Sequence, residues 1–282
     1  MRPAGPARPA GRGVDLHTHT YFSDGMLSPE HLVALATERG LAALAITDHD
    51  SLESLEPARQ AIGPSLDLVP GIELSSLYEG LDLHILGYYI DPGYEPLRKR
   101  LDRFRDDRMQ RALAMIQMLG GLGVELDPAE VVLIAGPGVI GRPHIARAMV
   151  KAGHVPSLDD AFRQYLGRGG RAFVPRTSFK VDEAIDLVQA AGGVSVIAHP
   201  GPLLPDRVIE DLADMGLRGI EVWHPQHNGN TVRRYRTLAS RLGMIETGGS
   251  DYHGANRGPD LGGVRVPLRA WHRLRDLAGV AG

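Results

Sequence analysis

Short apolar runs alternate with helical patterns along most of this chain, and run after run ends in a histidine or an acid. That alternation is the pattern of β–α units and predicts a parallel sheet wrapped by helices. The first run, residues 14–19, closes on Asp15-Leu16-His17-Thr18-His19, where i, i+2 spacing points both imidazoles to one side of a strand. A run over 41–47 ends in Asp48-His49-Asp50, one over 66–74 carries Glu73, and after a turn at Glu79-Gly80 comes a strand through His84. The series resumes with 193–198 ending at His199, 219–223 followed by His224-Pro225-Gln226-His227, and 244–247 leading into Ser250-Asp251-Tyr252-His253. Helices are predicted between these runs over 28–39, 52–62, 181–191 and 230–242; the first has Ser28 as N-cap, Pro29 at N1 and Gly40 as its stop.

From about Pro96 the rhythm changes to helices without intervening strands: a long charged helix to Leu119, then segments over 143–151 and 157–166. The expected organisation is a Pro/Gly/Arg/Ala-rich disordered leader over 1–13, a first barrel portion over 14–95, a helical insertion over 96–180 and a second barrel portion over 181–282. The leader has no hydrophobic segment of the kind that targets export, and no apolar run is long enough to span a bilayer, so no membrane role is expected. The chain has no cysteine, which excludes disulfides and thiolate metal sites and fits a cytoplasmic protein. Any metal must be held by His, Asp and Glu. Net charge is only −3, yet arginines cluster over 98–111 and 163–176, a local basicity suited to an anionic substrate.

A lone histidine is more often structural than metal-binding. Here His17, His19, His49, Glu73, His84, His199, Asp251 and His253 all sit where strands end or pair, and in a barrel of alternating strands and helices those ends converge on one face. The pattern reads as a multi-metal hydrolase. The motifs Asp15-Leu16-His17-Thr18-His19 with Ser23-Asp24-Gly25, Thr47-Asp48-His49, Gly71-Ile72-Glu73 and Gly249-Ser250-Asp251-Tyr252-His253 occur in order. With them the chain resembles the polymerase and histidinol phosphatase (PHP) superfamily of trinuclear metallophosphoesterases.

The resemblance implies a distorted seven-stranded β/α barrel with a small helical insertion domain. It implies three divalent ions, one among His17, His19, Glu73 and Asp251, a second among Glu73, His84 and His199, and a third among Asp24, His49 and His253. Manganese is favoured by the mixture of carboxylates and imidazoles, with iron or zinc as alternatives. With this insertion and no polymerase region, the chain most resembles the small bacterial branch that removes the 3′-phosphate from nucleoside 3′,5′-bisphosphates and trims 5′-phosphorylated oligoribonucleotides, which points to a nucleotide bisphosphate or short RNA as the binding partner. No obligate protein partner is called for. Gly141-Arg142-Pro143-His144, with Arg176, is the candidate pocket for a non-reacting phosphate. His224 and His227 either line the pocket and protonate the leaving oxygen or lie on a surface loop, and Asp15 and Asp48 are expected to orient imidazoles. The alternatives are a histidinol-phosphate-type phosphomonoesterase and a non-catalytic metal-binding module.

Overall fold

The computed structural model describes residues 13–176, 179–255 and 258–280. The leader expected over 1–13 therefore lies, but for Gly13, outside the described residues. In chain order the elements are β1 (Val14–Asp15), α1 (Pro29–Glu38), β2 (Ala43–Ile46), α2 (Leu55–Ala61), β3 (Asp67–Tyr78), β4 (Leu81–Tyr88) and α3 (Glu95–Gly121). They continue with α4 (Pro128–Ala135), α5 (Arg142–Lys151), α6 (Leu158–Ala161) running into a π-helical turn (Phe162–Leu166), and α7 (Val181–Ala190). The chain ends with β5 (Val194–Ile197), α8 (Asp206–Asp214), β6 (Gly219–Trp223), α9 (Gly229–Leu242), β7 (Ile245–Gly248) and α10 (Leu268–Leu277).

Among the described residues the strands form one sheet in the order β1 to β7, and it curls into a nearly closed, distorted barrel. The Leu16 N–H donates to the Gly248 carbonyl at 3.2 Å and Thr18 bridges Tyr252, so the first strand meets the last. Alternation within strands sorts the side chains between two cores. Ala43, Ala45, Val69, Leu86, Tyr88, Val194 and Val196 pack together inside, whereas Leu44 and Ile46 pack outward against Leu32, Val33, Ala36 and Ala58 of α1 and α2. Small alanines on β2 leave room in the narrow interior for Tyr88, whose hydroxyl donates to the Leu16 carbonyl at 2.8 Å.

The expectation of a parallel sheet fails at one strand. β1/β2, β2/β3, β5/β6 and β6/β7 are parallel, but β4 runs antiparallel to both β3 and β5. The cause is local: Glu79 and Gly80 have φ of 46° and 78°, the left-handed pair that a two-residue hairpin turn requires, so the chain reverses at once. β1 is also shorter than expected, because past Asp15 its backbone divides its hydrogen bonds between Gly248, Tyr252 and Thr47.

The helices between β4 and α7 pack around a core of their own. Met115, Leu119, Val131, Ile145, Met149, Ala161 and Leu166 bury one another and form a cluster separate from that of α7, which lies on the barrel with Ala184, Ile185 and Val188. Three helices go beyond those expected: α4, α8 and α10. For α4 the signal is present in Asp127-Pro128, an N-cap that accepts the Ala129 N–H with proline at N1. Among the described residues no helix is long and apolar enough to cross a membrane.

Candidate metal centre

Strand ends deliver the site. His17 and His19 follow β1, His49 follows β2, Glu73 on β3 lies diagonally across from His84 on β4, His199 follows β5, and Asp251 and His253 follow β7. Three of these turns place a non-glycine residue at positive φ: Asp50 at 51°, His199 at 26° and Asp251 at 53°. Such strain persists only where the surroundings over-determine it. Gly249 is demanded by close approach, since a Cβ there would lie 2.4 Å from the His17 backbone nitrogen.

Glu73 is the hub. Its Oε1 lies 2.7 Å from His84 Nδ1 and 2.9 Å from His199 Nε2; its Oε2 lies 2.9 Å from His49 Nδ1, 3.3 Å from His19 Nε2 and 3.4 Å from His17 Nε2. Asp251 Oδ1 approaches His19 Nε2 at 3.1 Å and His17 Nε2 at 3.4 Å, and Asp24 Oδ1 lies 3.0 Å from His253 Nε2. The structure thus brings together all nine side chains that the resemblance singled out. Their donor atoms fall into four overlapping groups, each within 4.8 Å: His19, Asp24, His49 and His253; His17, His19 and Glu73; His17, His199 and Asp251; His49, Glu73 and His84. His49 therefore faces Glu73 and His84 as well as the Asp24 and His253 side.

These residues fit a cation. His17 Nε2, His19 Nε2, His49 Nδ1 and Glu73 Oε2 are buried without a hydrogen-bond partner, although they point at one another across about one ion's width. Burial pushes the Glu73 carboxyl up, but His49, His84 and His17 outweigh it and hold the group well below the ordinary carboxylate range. Asp251 and Asp24 are held low in the same way by His17 and His253 respectively, against the same upward push of burial. Burial drives His84 down to about 4, which keeps its lone pair available. Against the downward push of burial, the facing carboxylates raise His17, His199 and, to about 9, His253, protons that a bound divalent ion would displace. Imidazoles together with carboxylates are the donor set of a hard-to-borderline divalent ion.

Around this centre the two acids expected to orient imidazoles do something else. Asp15 accepts from Ser250 N and Oγ at 2.8 and 2.6 Å and from Gly262 N at 2.8 Å, so it pins the β7 loop instead of a ring. Asp48 accepts from Thr20 N, Thr20 Oγ1 and Ser23 Oγ at 2.7, 2.7 and 2.6 Å and reaches an imidazole only through Ser23, 3.4 Å from His19 Nδ1. For Asp48 this follows from position, since it immediately precedes His49 and alternation aims it away from that ring. Asp15 shares the parity of His17, but its carboxylate is taken up by the Ser250 and Gly262 donors. Outside those nine side chains, an acid that does touch an imidazole is Glu221 on β6, 2.9 Å from His17 Nδ1. Its signal in the sequence is a glutamate inside an otherwise apolar strand, Ile-Glu-Val-Trp.

The weaker candidates divide. His224 joins the centre: its Nε2 lies 3.4 Å from Asp251 Oδ2, and its Nδ1 accepts the Gln226 N–H. The ring of His227 is committed to backbone, Nδ1 to the Val222 carbonyl and Nε2 to the Gly201 N–H. His144 is buried and its Nδ1 accepts the Gly141 N–H at 2.9 Å, capping α5. Arg142 lies between the rings of Phe162 and Phe173, 5.8 and 5.9 Å from their centroids, and donates to the Leu166 carbonyl. Arg176 is half-buried, and its Nε and Nη1 are buried without a hydrogen-bond partner among the described residues. Arg108, which spacing alone did not single out, donates to Asp50 and Ser75, two positions that adjoin His49 and Glu73. Burial and the neighbouring guanidiniums lower Arg176 to about 10 and Arg111 to about 9. Arg108, Arg111 and Arg176 line a small cleft together with Asp50 and Asp107, and Arg142 lies close enough to add to the lowering of Arg176.

A barrel whose strand ends assemble buried histidines and carboxylates beside a basic cleft is the architecture of a metal-dependent phosphoesterase. The comparisons agree, and the chain belongs to the PHP-domain family: the PHP domain description matches residues 15–135. It is 34% identical over 247 residues to the 5′-3′ exoribonuclease Rnm of Salmonella typhimurium, covering 85% of this chain and 84% of that protein. It is also 34% identical over 253 residues to a 3′,5′-nucleoside bisphosphate phosphatase of Chromobacterium violaceum, covering 87% and 88% respectively. Among solved structures, a Bifidobacterium adolescentis protein assigned as a metal-dependent phosphoesterase superposes with a TM-score of 0.89 at 32% identity, over 96% of this chain and 98% of its own. The chain is a phosphoric ester hydrolase of this family.

Proposed function

We propose that the enzyme hydrolyses the 3′-phosphoester of nucleoside 3′,5′-bisphosphates to nucleoside 5′-monophosphates, and by the same step trims 5′-phosphorylated oligoribonucleotides from the 5′ end. Water adds to phosphorus, the bond to the 3′-oxygen breaks, and that oxygen leaves with a proton. His17, His19, Glu73 and Asp251, then Glu73, His84 and His199, and then Asp24, His49 and His253 would hold three divalent ions, with manganese best suited to the mixed donors. Divalent ions bound there supply charge neutralisation around phosphorus and a nucleophile at neutral pH.

The chain's own groups do the rest. Arg142 and Arg176, with Arg108, receive the phosphate that does not react, and the insertion over 96–180 exists to carry them to the barrel mouth. His144 serves that pocket indirectly by shaping the start of α5. Because His224 Nδ1 accepts the Gln226 N–H, the proton of that ring sits on Nε2, facing the centre, and His224 is the donor to the leaving oxygen. His227, with both nitrogens committed, supports the loop. Such substrates belong to the cytoplasm.

The observation that carries this reading is Arg176, half-buried, with Nε and Nη1 buried and partnerless among the described residues, in an arginine-rich cleft whose Asp50 is already paired with Arg108. An uncompensated buried cation is costly unless an anion arrives to pair with it. The test is phosphate release from adenosine 3′,5′-bisphosphate with manganese, run beside histidinol phosphate and a 5′-phosphorylated RNA oligomer. Preference for the bisphosphate with AMP as product, and RNA shortening from its 5′ end, is the expected result. Activity on histidinol phosphate alone would overturn the substrate and leave the metal centre standing.

A further inference from the structure

We propose that Glu221 is a positioning residue that holds two of the proposed metal ligands with one carboxylate: the ring of His17 and the backbone of His199. This inference rests on the ligand reading above and goes beyond it. Glu221 is fully buried on β6, and its two oxygens are divided. Oε1 lies 2.9 Å from His17 Nδ1, and Oε2 accepts the His199 backbone N–H at 2.7 Å.

The two contacts have different consequences. A carboxylate at Nδ1 keeps the proton on that nitrogen, so the lone pair of His17 sits on Nε2, the atom that faces Glu73 and Asp251 without a hydrogen bond of its own. The second contact fixes a peptide that is otherwise strained. His199 has φ of 26°, a conformation disfavoured for any residue with a Cβ, and this turn is what swings its Nε2 to 2.9 Å from Glu73. The pairing of β6 shifts register between Glu221 and Trp223, so the irregularity in the strand falls where the carboxylate must meet both partners. One side chain thereby ties the His17 end of the centre to the His199 end.

Glu221→Gln tests this, because the amide oxygen can accept from only one of the two N–H groups while its NH2 faces the other. Manganese retention is measured by elemental analysis in a chelator competition, alongside the melting temperature of the stripped protein and the His17 Nδ1–H resonance of the zinc-loaded protein. The expected result is manganese affinity roughly ten- to hundredfold weaker, a displaced His17 resonance, and a stripped protein that melts with the parent. Parental affinity with an unmoved resonance overturns the inference, as does a loss of affinity matched by a general loss of stability. Should the glutamine variant fail to fold, Glu221→Asp, which keeps the charge but is one methylene short of spanning both partners, is read by the same criteria. A parent protein that retains no metal overturns the ligand reading and this inference together; a parent and variant that retain it equally overturn this inference alone.

Discussion

Arg176 illustrates how a single residue reveals function by being badly placed for stability. Two guanidinium nitrogens buried without a partner among the described residues, beside other arginines and with Asp50 given over to Arg108, are a cost the fold bears. Replacing it with a methionine of similar reach should raise stability in urea unfolding, by about 1 kcal/mol or more. The same substitution should lower kcat/KM on the bisphosphate roughly ten- to hundredfold, the loss of one or two charge-assisted hydrogen bonds. Turnover of a simple phosphomonoester should hardly change. A variant that loses stability and keeps bisphosphate turnover would remove Arg176 from the phosphate pocket. Arg142→Ala should show the same substrate split, without the gain in stability, because Arg142 already packs between Phe162 and Phe173 and donates to Leu166. Residues of this kind are only half legible in a sequence. A basic Gly-Arg-Pro-His turn can be noticed there, but whether a neighbouring histidine points at substrate or caps its own helix, as His144 does, is decided by the ring's contacts.

Elements explain how the insertion reaches the centre. Arg147 on α5 donates to the Asp24 backbone carbonyl at 2.6 Å, and the Val139 N–H donates to the Phe22 carbonyl at 2.9 Å. Two pieces of the insertion therefore brace the loop over 20–25 that presents Asp24 beside His253. Arg147→Ala should loosen that loop and weaken the ion assigned to Asp24, His49 and His253. If three ions are held as proposed, metal analysis after dialysis should show a fall toward two per chain, with the helical content by circular dichroism unchanged. Three ions retained would detach the insertion from that subsite. At this scale the β–α rhythm was readable from periodicity, and so were the helices with strong caps, such as α1 with Ser28 and Pro29. The Glu79-Gly80 turn already contains the reversal of β4, since two residues can join only antiparallel neighbours, although the β–α rhythm around it reads as a parallel sheet.

The whole molecule gathers carboxylates and histidines into a small, largely buried volume, an arrangement that is expensive without cations. Ion binding to the folded state alone should therefore stabilise it. At free metal about a thousandfold above Kd, one site contributes about 4 kcal/mol, which for a chain of this size is about 10 °C in melting temperature. Stripping with a chelator should lower the melting temperature by that order, and manganese should restore it; a melting curve indifferent to both would deny the centre its ions.

What the sequence determined by itself was the kind of chemistry and its address. Nine histidines and acids in four ordered motifs, without a cysteine, permitted only nitrogen and oxygen ligation at strand ends. Strand and helix periods are local properties, so the faces they bury can be counted along the chain. Only the tertiary structure decided that Glu221 meets His17 across 204 positions, that Asp15 and Asp48 hold loops rather than rings, and that Arg108 joins Arg142 and Arg176. Those contacts depend on barrel closure and strand register, which are set by long-range packing, and no local pattern in the chain records which distant group a buried polar atom will meet.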